Sequence, residues 1–190
     1  MSILCNCLIF FITMVLLVRF ARRDGKWDAE KLKKAFRFFT VQSNAFCAFA
    51  ALLMCLFPFQ RWAWLLKYMG TAAVSVTLLT VFLYLGPAAG YKKLLSGSDF
   101  FMHLITPLLA ILSFSFFEKR GMSFSEALWG LLPVALYGVL YLYRILIAPK
   151  DKAWEDFYGF NRGGKFYISM AAMLAGTFLI CMGLMALQNL

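Results

Sequence analysis

Charged residues are scarce in this chain. They make up 15% of its 190 residues, only nine of them are acidic, and there is a single histidine. A typical soluble domain is about one quarter charged, so the composition excludes an ordinary water-soluble protein. The chain also lacks low-complexity tracts, defensible internal repeats and long linkers, and we therefore expect one domain over residues 1–190.

Cysteine is also sparse, and its spacing fits neither an extracellular disulfide framework nor a metal-binding motif. All five cysteines fall within or beside apolar stretches: Cys5, Cys7, Cys47, Cys55 and Cys181. We interpret them as small packing side chains, and the sequence predicts no zinc or other metal site.

Long apolar stretches dominate what is present. Hydrophobic residues are 63% of the chain, the mean hydropathy is +0.76, and phenylalanine occurs 21 times. Six stretches are long enough to cross a bilayer core of about 30 Å as helices, and they are continuous rather than alternating, which disfavours a β-barrel. The sequence predicts an all-α, polytopic integral membrane bundle of six transmembrane helices, which partners a lipid bilayer. The predicted spans are roughly 2–19, 36–57, 63–86, 100–117, 124–147 and 166–187.

Positive charge is concentrated on one side of the predicted bundle. The net charge is +10, and fourteen of the nineteen Lys and Arg residues lie in the first, third and fifth loops. The opposite side has only Arg61, Lys67, Lys119 and Arg120. This distribution is typical of membrane topology rather than of nucleic-acid binding, so no nucleic acid is expected as a partner. By the positive-inside rule the odd-numbered loops are cytoplasmic and both termini lie outside.

Two loops have features of their own. The first mixes aromatic and charged residues and predicts a short interfacial helix before the second span. The fifth loop is rich in aromatic residues and glycine: Trp154, Phe157, Tyr158 and Phe160. These side chains could anchor the loop at the lipid headgroups, or the loop could re-enter the bundle as a cap over a pocket.

Polar residues inside the spans are the strongest functional signal, because each needs a partner in hydrocarbon. Thr40, Asn44 and Cys47 recur at helical spacing and share a face of the second span. Asp99 and His103 are likewise four residues apart in the fourth span. Both spans begin on the same side of the membrane, so Thr40 and His103 should lie at similar depth. We therefore expect the hydroxyl to meet the only imidazole.

Such a hydroxyl and base would form a nucleophilic pair, with Asp99 orienting the histidine. A developing oxyanion would need donors nearby, and four side chains are candidates: Gln42, Ser43, Asn44 and Asn161. The alternative is purely structural. In that case the Thr40 hydroxyl bonds back to its own helix, and His103 supports a helix end at the membrane surface.

Three segments together resemble a known family. They are FFTVQSN at the start of the second span, FFMHLITPLL around the histidine, and WEDFYGFNRGGKFY before the last span. They resemble the androgen-inducible membrane protein family and its bacterial six-helix relatives. Its animal members include integral membrane threonine hydrolases that cleave fatty acid esters of hydroxy fatty acids. The resemblance implies Thr40 as nucleophile and His103 as its base, whereas Asp99 and Asn44 are added from helix spacing.

The sequence as a whole therefore predicts a six-helix hydrolase of lipid esters that works without metal or cofactor. Its cavity would open toward the cytoplasmic leaflet, with an acyl chain between apolar helices and the ester beside Thr40 and His103. The alternatives are a non-catalytic protein that binds or transports a lipid or small molecule, and a structural scaffold. The animal members of the family are described with cytoplasmic termini, the reverse of the charge-based prediction. Nothing in the sequence indicates an oligomeric state.

Overall fold

The computed structural model describes the backbone of all 190 residues and every side chain except those of Arg23, Ala88 and Ala89. It is a helical bundle, which confirms the all-α class, and six of its helices are long and apolar enough to cross a membrane. Their bounds differ from the predicted spans by at most three residues. The helices are α1 (Ser2–Phe20), α2 (Ala29–Ala35), α3 (Phe39–Leu56), α4 (Arg61–Leu85), α5 (Gly97–Phe117), α6 (Phe124–Ile147) and α7 (Phe166–Asn189).

The connections contain short elements only. The first loop forms a two-residue hairpin, β1 (Arg22–Arg23) paired with β2 (Lys26–Trp27), and then α2, which is the short helix expected there. The Asp28 side chain caps α2 by accepting the N–H of Lys31 at 2.9 Å. One-turn helices follow α4 at Gly86–Ala89 and Tyr91–Leu94, and a 3₁₀ turn at Arg162–Gly164 precedes α7.

Helix α4 is the centre of the bundle. It contacts α3, α5, α6 and α7, and it has the largest buried share of the six long helices. Small residues allow this packing: a Cβ placed on Gly70 would lie 2.9 Å from the Cα of Cys47 on α3, so only glycine permits the observed approach. Because α4 fixes α3 on one side and α5 on another, the residues at the ends of those two helices are held at a defined separation.

The membrane helices contain four π-helical turns, and three of these turns end two residues before a proline, whereas the turn Ser113–Phe117 in α5 does not. The pairs are Val81–Leu85 before Pro87, Phe101–Ile105 before Pro107, and Tyr143–Ile147 before Pro149. Proline has no N–H for the carbonyl four residues earlier, and its ring crowds that carbonyl. A wider turn, with bonds to the fifth residue back, relieves this conflict. In α5 the carbonyl left without a donor is that of His103, so the histidine lies in a widened turn.

The six long helices alternate in direction, which gives the bundle two chemically different ends. The basic end, as we call it, collects the C-terminal ends of α1, α4 and α6, the N-terminal ends of α3, α5 and α7, and the first, third and fifth loops. Among the four basic residues counted on the opposite side, Lys67 lies within the predicted third span, and in the structure it is fully buried within α4. Its amine is directed into the bundle, toward Asn6.

Candidate functional site

Thr40 and His103 meet at the basic end. Thr40 is the second residue of α3 and His103 lies in the widened turn of α5. The Oγ1 of Thr40 lies 3.4 Å from the Nε2 of His103. His103 is 7% exposed, whereas Thr40 is half-buried and reaches the wall of a cavity. The structure therefore brings together the hydroxyl and the imidazole that the sequence singled out.

A backbone carbonyl fixes the protonation pattern of the imidazole. The Nδ1 of His103 lies 2.7 Å from the carbonyl oxygen of Leu94, at the end of the one-turn helix Tyr91–Leu94. A carbonyl can only accept a hydrogen bond, so Nδ1 carries the hydrogen. In the neutral ring Nε2 then holds a lone pair that faces the Thr40 hydroxyl. This is the arrangement that a general base requires before it takes a proton.

The structure does not bring Asp99 to the imidazole. Its carboxylate is exposed in the first turn of α5, and among the described side chains it makes neither a hydrogen bond nor an ion pair with His103. The four-residue spacing assumed that the two side chains turn toward each other, but the Asp99 carboxylate faces outward and the Nδ1 of His103 is bonded to the Leu94 carbonyl. The orienting acceptor predicted as Asp99 is instead the Leu94 carbonyl.

Asn44 is fully buried and links α3 to α5 beneath the pair. Its Nδ2 donates to the Thr40 carbonyl at 2.8 Å and to the Met102 carbonyl at 3.0 Å. Both donor hydrogens are therefore committed to the backbone on either side of the site. Asn44 holds the helix turns that carry Thr40 and His103, and it has no free hydrogen for an oxyanion.

The other three predicted oxyanion donors also lie away from the Thr40 hydroxyl or are engaged. Ser43 Oγ bonds the Thr40 carbonyl at 3.1 Å and the Thr77 hydroxyl at 2.9 Å. Gln42 Nε2 donates to the Phe36 carbonyl at 2.7 Å. Asn161 lies in the fifth loop, where its main-chain N–H bonds a carboxylate, and its side chain does not line the cavity.

A cavity of about 420 Å³ opens beside Thr40, bounded by α3, α4, α6, α7 and the fifth loop. Most of its wall is apolar, from residues on α4 and α7: Val76, Val81, Leu85, Ile168, Ala172 and Met173. Near Thr40 the wall is more polar and includes Tyr158. The size and the single polar corner are typical of small-molecule sites, in which apolar walls hold the ligand and a few polar groups orient it.

The fifth loop folds over this cavity, and Asp156 organises it. One carboxylate oxygen accepts the Tyr141 hydroxyl at 2.9 Å and the N–H of Phe160 at 2.8 Å, and the other accepts the N–H of Asn161 at 2.8 Å. The Tyr141 hydroxyl in turn accepts the N–H of Tyr158 at 3.0 Å. These bonds turn Tyr158 and Phe160 into the cavity wall, which favours the cap over the headgroup anchor.

Tyr158 is the site residue whose importance the sequence did not reveal. Its hydroxyl oxygen accepts the N–H of Phe39 at 3.0 Å, beside Thr40 in the first turn of α3. Burial raises the pKa of Tyr158 to about 12, so the hydroxyl keeps its proton at neutral pH. The sequence signal was the aromatic loop itself, but only the folded loop brings this one ring to the start of α3.

Comparison of the chain with family models, with curated proteins and with solved structures finds no match. Over the part of the chain that the structure describes, no group of three or more His, Cys, Asp or Glu side chains gathers in a way that could hold a metal ion. The candidate site is therefore defined by Thr40, His103, the Leu94 carbonyl and Tyr158 around an apolar cavity.

Proposed function

We propose that this multi-pass membrane protein hydrolyses fatty-acyl esters, with Thr40 as nucleophile and His103 as general base. The observation that carries the proposal is the 3.4 Å separation between Thr40 Oγ1 and His103 Nε2, on a ring whose Nδ1 hydrogen is held by Leu94. The resemblance to membrane threonine hydrolases assigns the same two roles. An apo distance at the long end of the hydrogen-bond range is common for such pairs and shortens when substrate binds.

The proposed reaction has two steps, acylation of Thr40 and hydrolysis of the acyl group. His103 Nε2 takes the Thr40 hydroxyl proton as Oγ1 attacks the ester carbonyl carbon, and the imidazolium then gives that proton to the departing alcohol. This leaves an acyl group on Thr40. Water loses a proton to His103 as it attacks the acyl carbon, and Thr40 regains its hydrogen as the fatty acid leaves. The Leu94 carbonyl holds the ring in one tautomer throughout and stabilises the imidazolium.

The cavity supports a substrate with a long apolar part. Its walls are aliphatic and aromatic, and its polar corner lies at Thr40, so an acyl chain fits along α4 and α7 with the ester at the start of α3. A volume of about 420 Å³ lies within the ~300–1,000 Å³ range of ligand pockets. The same shape also suits a protein that binds or transports a lipid without cleaving it, so turnover is the deciding property.

The experiment that separates these functions compares two threonines. Thr177 on α7 is buried, and its hydroxyl donates to the carbonyl of Met173 at 2.8 Å, which is the structural role considered for Thr40. In bilayer nanodiscs, the wild type and Thr177→Ala should release fatty acid from a fatty acid ester of a hydroxy fatty acid, and Thr40→Ala should not. Equal hydrolysis by Thr40→Ala and wild type would leave a lipid-binding function.

We also propose that the basic end faces the cytoplasm and that both termini lie outside. Of the four basic residues on the opposite side, Lys67 is buried within α4, which leaves Arg61, Lys119 and Arg120 near the surface there. Fourteen of the nineteen basic residues lie in the loops of the basic end, and this contrast supports the orientation. A reporter fused after Leu190 should be active only outside the cytoplasm, and cytoplasmic activity would invert the orientation while leaving Thr40 and His103 in one leaflet.

A further inference from the structure

Attack on an ester creates a negative charge on the former carbonyl oxygen, and acyl-transfer sites place hydrogen-bond donors where that charge develops. The four side chains expected to supply these donors do not do so here. Asn44, Ser43 and Gln42 hold backbone carbonyls or a neighbouring hydroxyl, and Asn161 lies off the cavity wall. The donors must therefore come from another group beside Thr40.

Tyr158 lies on the cavity wall with Thr40, and its hydroxyl donates no hydrogen bond to the described residues. Its oxygen accepts from Phe39, and the Tyr137 hydroxyl is its neighbour. Tyr137 donates to the Arg37 carbonyl at 2.7 Å. Tyr158 and Thr40 line the same cavity, so the Tyr158 hydroxyl and the nucleophile face the same space.

The backbone supplies a second donor at the same place. Thr40 lies in the first turn of α3, where N–H groups have no partner within the helix. The N–H of Phe39 donates to the Tyr158 oxygen at 3.0 Å, and the N–H of Thr40 is the next donor in the same turn, so the Tyr158 oxygen lies at the main-chain donors of this helix end. An anion beside Tyr158 would meet these donors and also the positive end of the α3 dipole.

We propose that the Tyr158 hydroxyl and the main-chain N–H of Thr40 form the oxyanion hole of this site, an inference that rests on the proposed function. As Thr40 Oγ1 bonds to the ester carbon, the carbonyl π pair moves onto oxygen, and that oxygen accepts hydrogen bonds from both groups. Tyr158 keeps its proton, while His103 carries the proton from Thr40. When the carbon–alcohol bond breaks, the pair returns to the carbonyl.

This assignment makes the fifth loop part of the catalytic machinery and not only a cover. Asp156 is then a positioning residue, since its two oxygens hold the loop that carries Tyr158. The proposal also predicts which inhibitors the site prefers. An acyl trifluoromethyl ketone, which forms a tetrahedral oxyanion on a nucleophilic hydroxyl, should bind far more tightly than the matching planar amide.

The test measures kcat, KM and inhibition by that ketone in Tyr158→Phe, with Tyr167→Phe as the matched control. Tyr167 lies at the same end of the bundle on α7, is 60% exposed and makes no side-chain hydrogen bond among the described residues. Removing one oxyanion donor typically lowers kcat by about 10²–10³-fold. We expect that loss in Tyr158→Phe, with KM nearly unchanged, ketone affinity reduced in proportion, and wild-type values in Tyr167→Phe.

A second variant keeps the hydroxyl, in case Tyr158→Phe fails to fold. In this variant, 3,5-difluorotyrosine replaces Tyr158 and has a more acidic phenol. The pKa of Tyr158 is about 12, so the fluorinated phenol ionises at a lower alkaline pH than Tyr158 does. Because a phenolate cannot donate and repels an oxyanion, kcat should fall at a lower alkaline pH than in the wild type. An unchanged alkaline limb would contradict the proposal.

The outcomes separate this inference from the function on which it rests. If Thr40→Ala is inactive and Tyr158→Phe retains the wild-type kcat and ketone affinity, the oxyanion assignment is wrong and the hydrolase proposal survives. If the wild type shows no hydrolysis that depends on Thr40, both are wrong. A loss of kcat and ketone affinity confined to position 158, with the thermal transition preserved, supports both.

Discussion

The two ends of the bundle both bury polar groups, but they differ in what those groups face. Beside the cavity, the Thr40 hydroxyl faces an imidazole lone pair, and Tyr158 forms part of the cavity wall. At the opposite end, polar groups are packed against one another around the buried carboxylate of Glu118, which is 4% exposed.

The Glu118 network is dense and crosses three helices. One oxygen of the carboxylate accepts from Ser2 at 2.9 Å, from Asn6 at 2.6 Å and from Ser113 at 2.6 Å. The fully buried Lys67 amine donates to the Asn6 side-chain oxygen at 2.7 Å. These bonds join α1, α4 and α5, and they connect a buried cation to a buried anion through an amide.

Backbone contacts extend the same network to α7. Trp64 donates its indole N–H to the Glu118 carbonyl at 2.7 Å, and Gln188 donates to the Phe114 carbonyl at 2.5 Å. Ionisable residues within a membrane bundle mark functional sites by default. Comparing the two ends shows that an ionisable residue within the membrane is not enough to mark a functional site. The polar groups must also face a space that a substrate can enter. Glu118 and Lys67 belong to a network that joins helices, whereas Thr40 lines a cavity and His103 lies against its hydroxyl.

The largest expected effect is a loss of hydrolysis at the basic end in a bundle that still folds. His103→Ala removes the base, and we expect hydrolysis to fall by about 10⁴-fold or more, as for other catalytic pairs. Because the two groups act as a unit, the double variant Thr40→Ala/His103→Ala should be little worse than either single variant. Thr40→Ser keeps a hydroxyl and should retain part of the activity. If the rate losses of the two single variants multiplied in the double variant, Thr40 and His103 would not act in the same step.

A second prediction concerns the opposite end of the bundle and its contribution to stability. Glu118→Ala removes the acceptor shared by Ser2, Asn6 and Ser113, and with it the buried negative charge to which Asn6 links the Lys67 amine. Removing one charge of a buried pair typically costs about 3–5 kcal/mol. We expect the free energy of unfolding in mixed micelles to fall by that order, with the hydrolysis rate per folded molecule unchanged. The simultaneous change Glu118→Gln/Lys67→Met should recover much of the stability. A stable Glu118→Ala protein that has lost turnover would mean that the two ends work together.

The smallest effect is expected at Asp99. Its carboxylate is exposed and does not contact the imidazole, so Asp99→Asn should change kcat by less than about twofold, in line with most surface substitutions. The pH profile should also keep its shape, because Leu94 and not Asp99 orients His103. If the acidic side of the kcat–pH profile shifts clearly in Asp99→Asn, Asp99 reaches the imidazole ring during turnover.

Features that depend on apolar length and on the order of the spans could be predicted from the sequence, whereas features that depend on local geometry could not. The six spans follow from apolar length, and the meeting of Thr40 and His103 follows from two spans that start on the same side. The Asp99 contact failed because the Leu94 carbonyl is bonded to the Nδ1 of His103 while the carboxylate stays exposed, and i, i+4 spacing takes no account of main-chain acceptors. Lys67 shows that a cation near a predicted span boundary can lie inside the bundle.

Other parts of the site depend on groups without a pattern in the sequence. The acceptor for His103 is the main-chain carbonyl of Leu94, and every residue has such a carbonyl. Tyr158 reaches the start of α3 only because Asp156 gathers three donors and folds the fifth loop inward. Loop conformations of this kind arise from many weak local bonds, whereas apolar periodicity records only which helix faces are buried.

The central claim is that the Thr40 hydroxyl is activated, and covalent labelling tests it most directly. The purified protein in nanodiscs is treated with a lipid-like fluorophosphonate, digested, and mapped by mass spectrometry, with Thr177→Ala and His103→Ala in parallel. The account predicts that the phosphonyl group is found on Thr40, equally in the Thr177→Ala control, and that labelling is lost in His103→Ala. No adduct on Thr40 under conditions that label a known serine hydrolase, or an adduct that persists without His103, would contradict it.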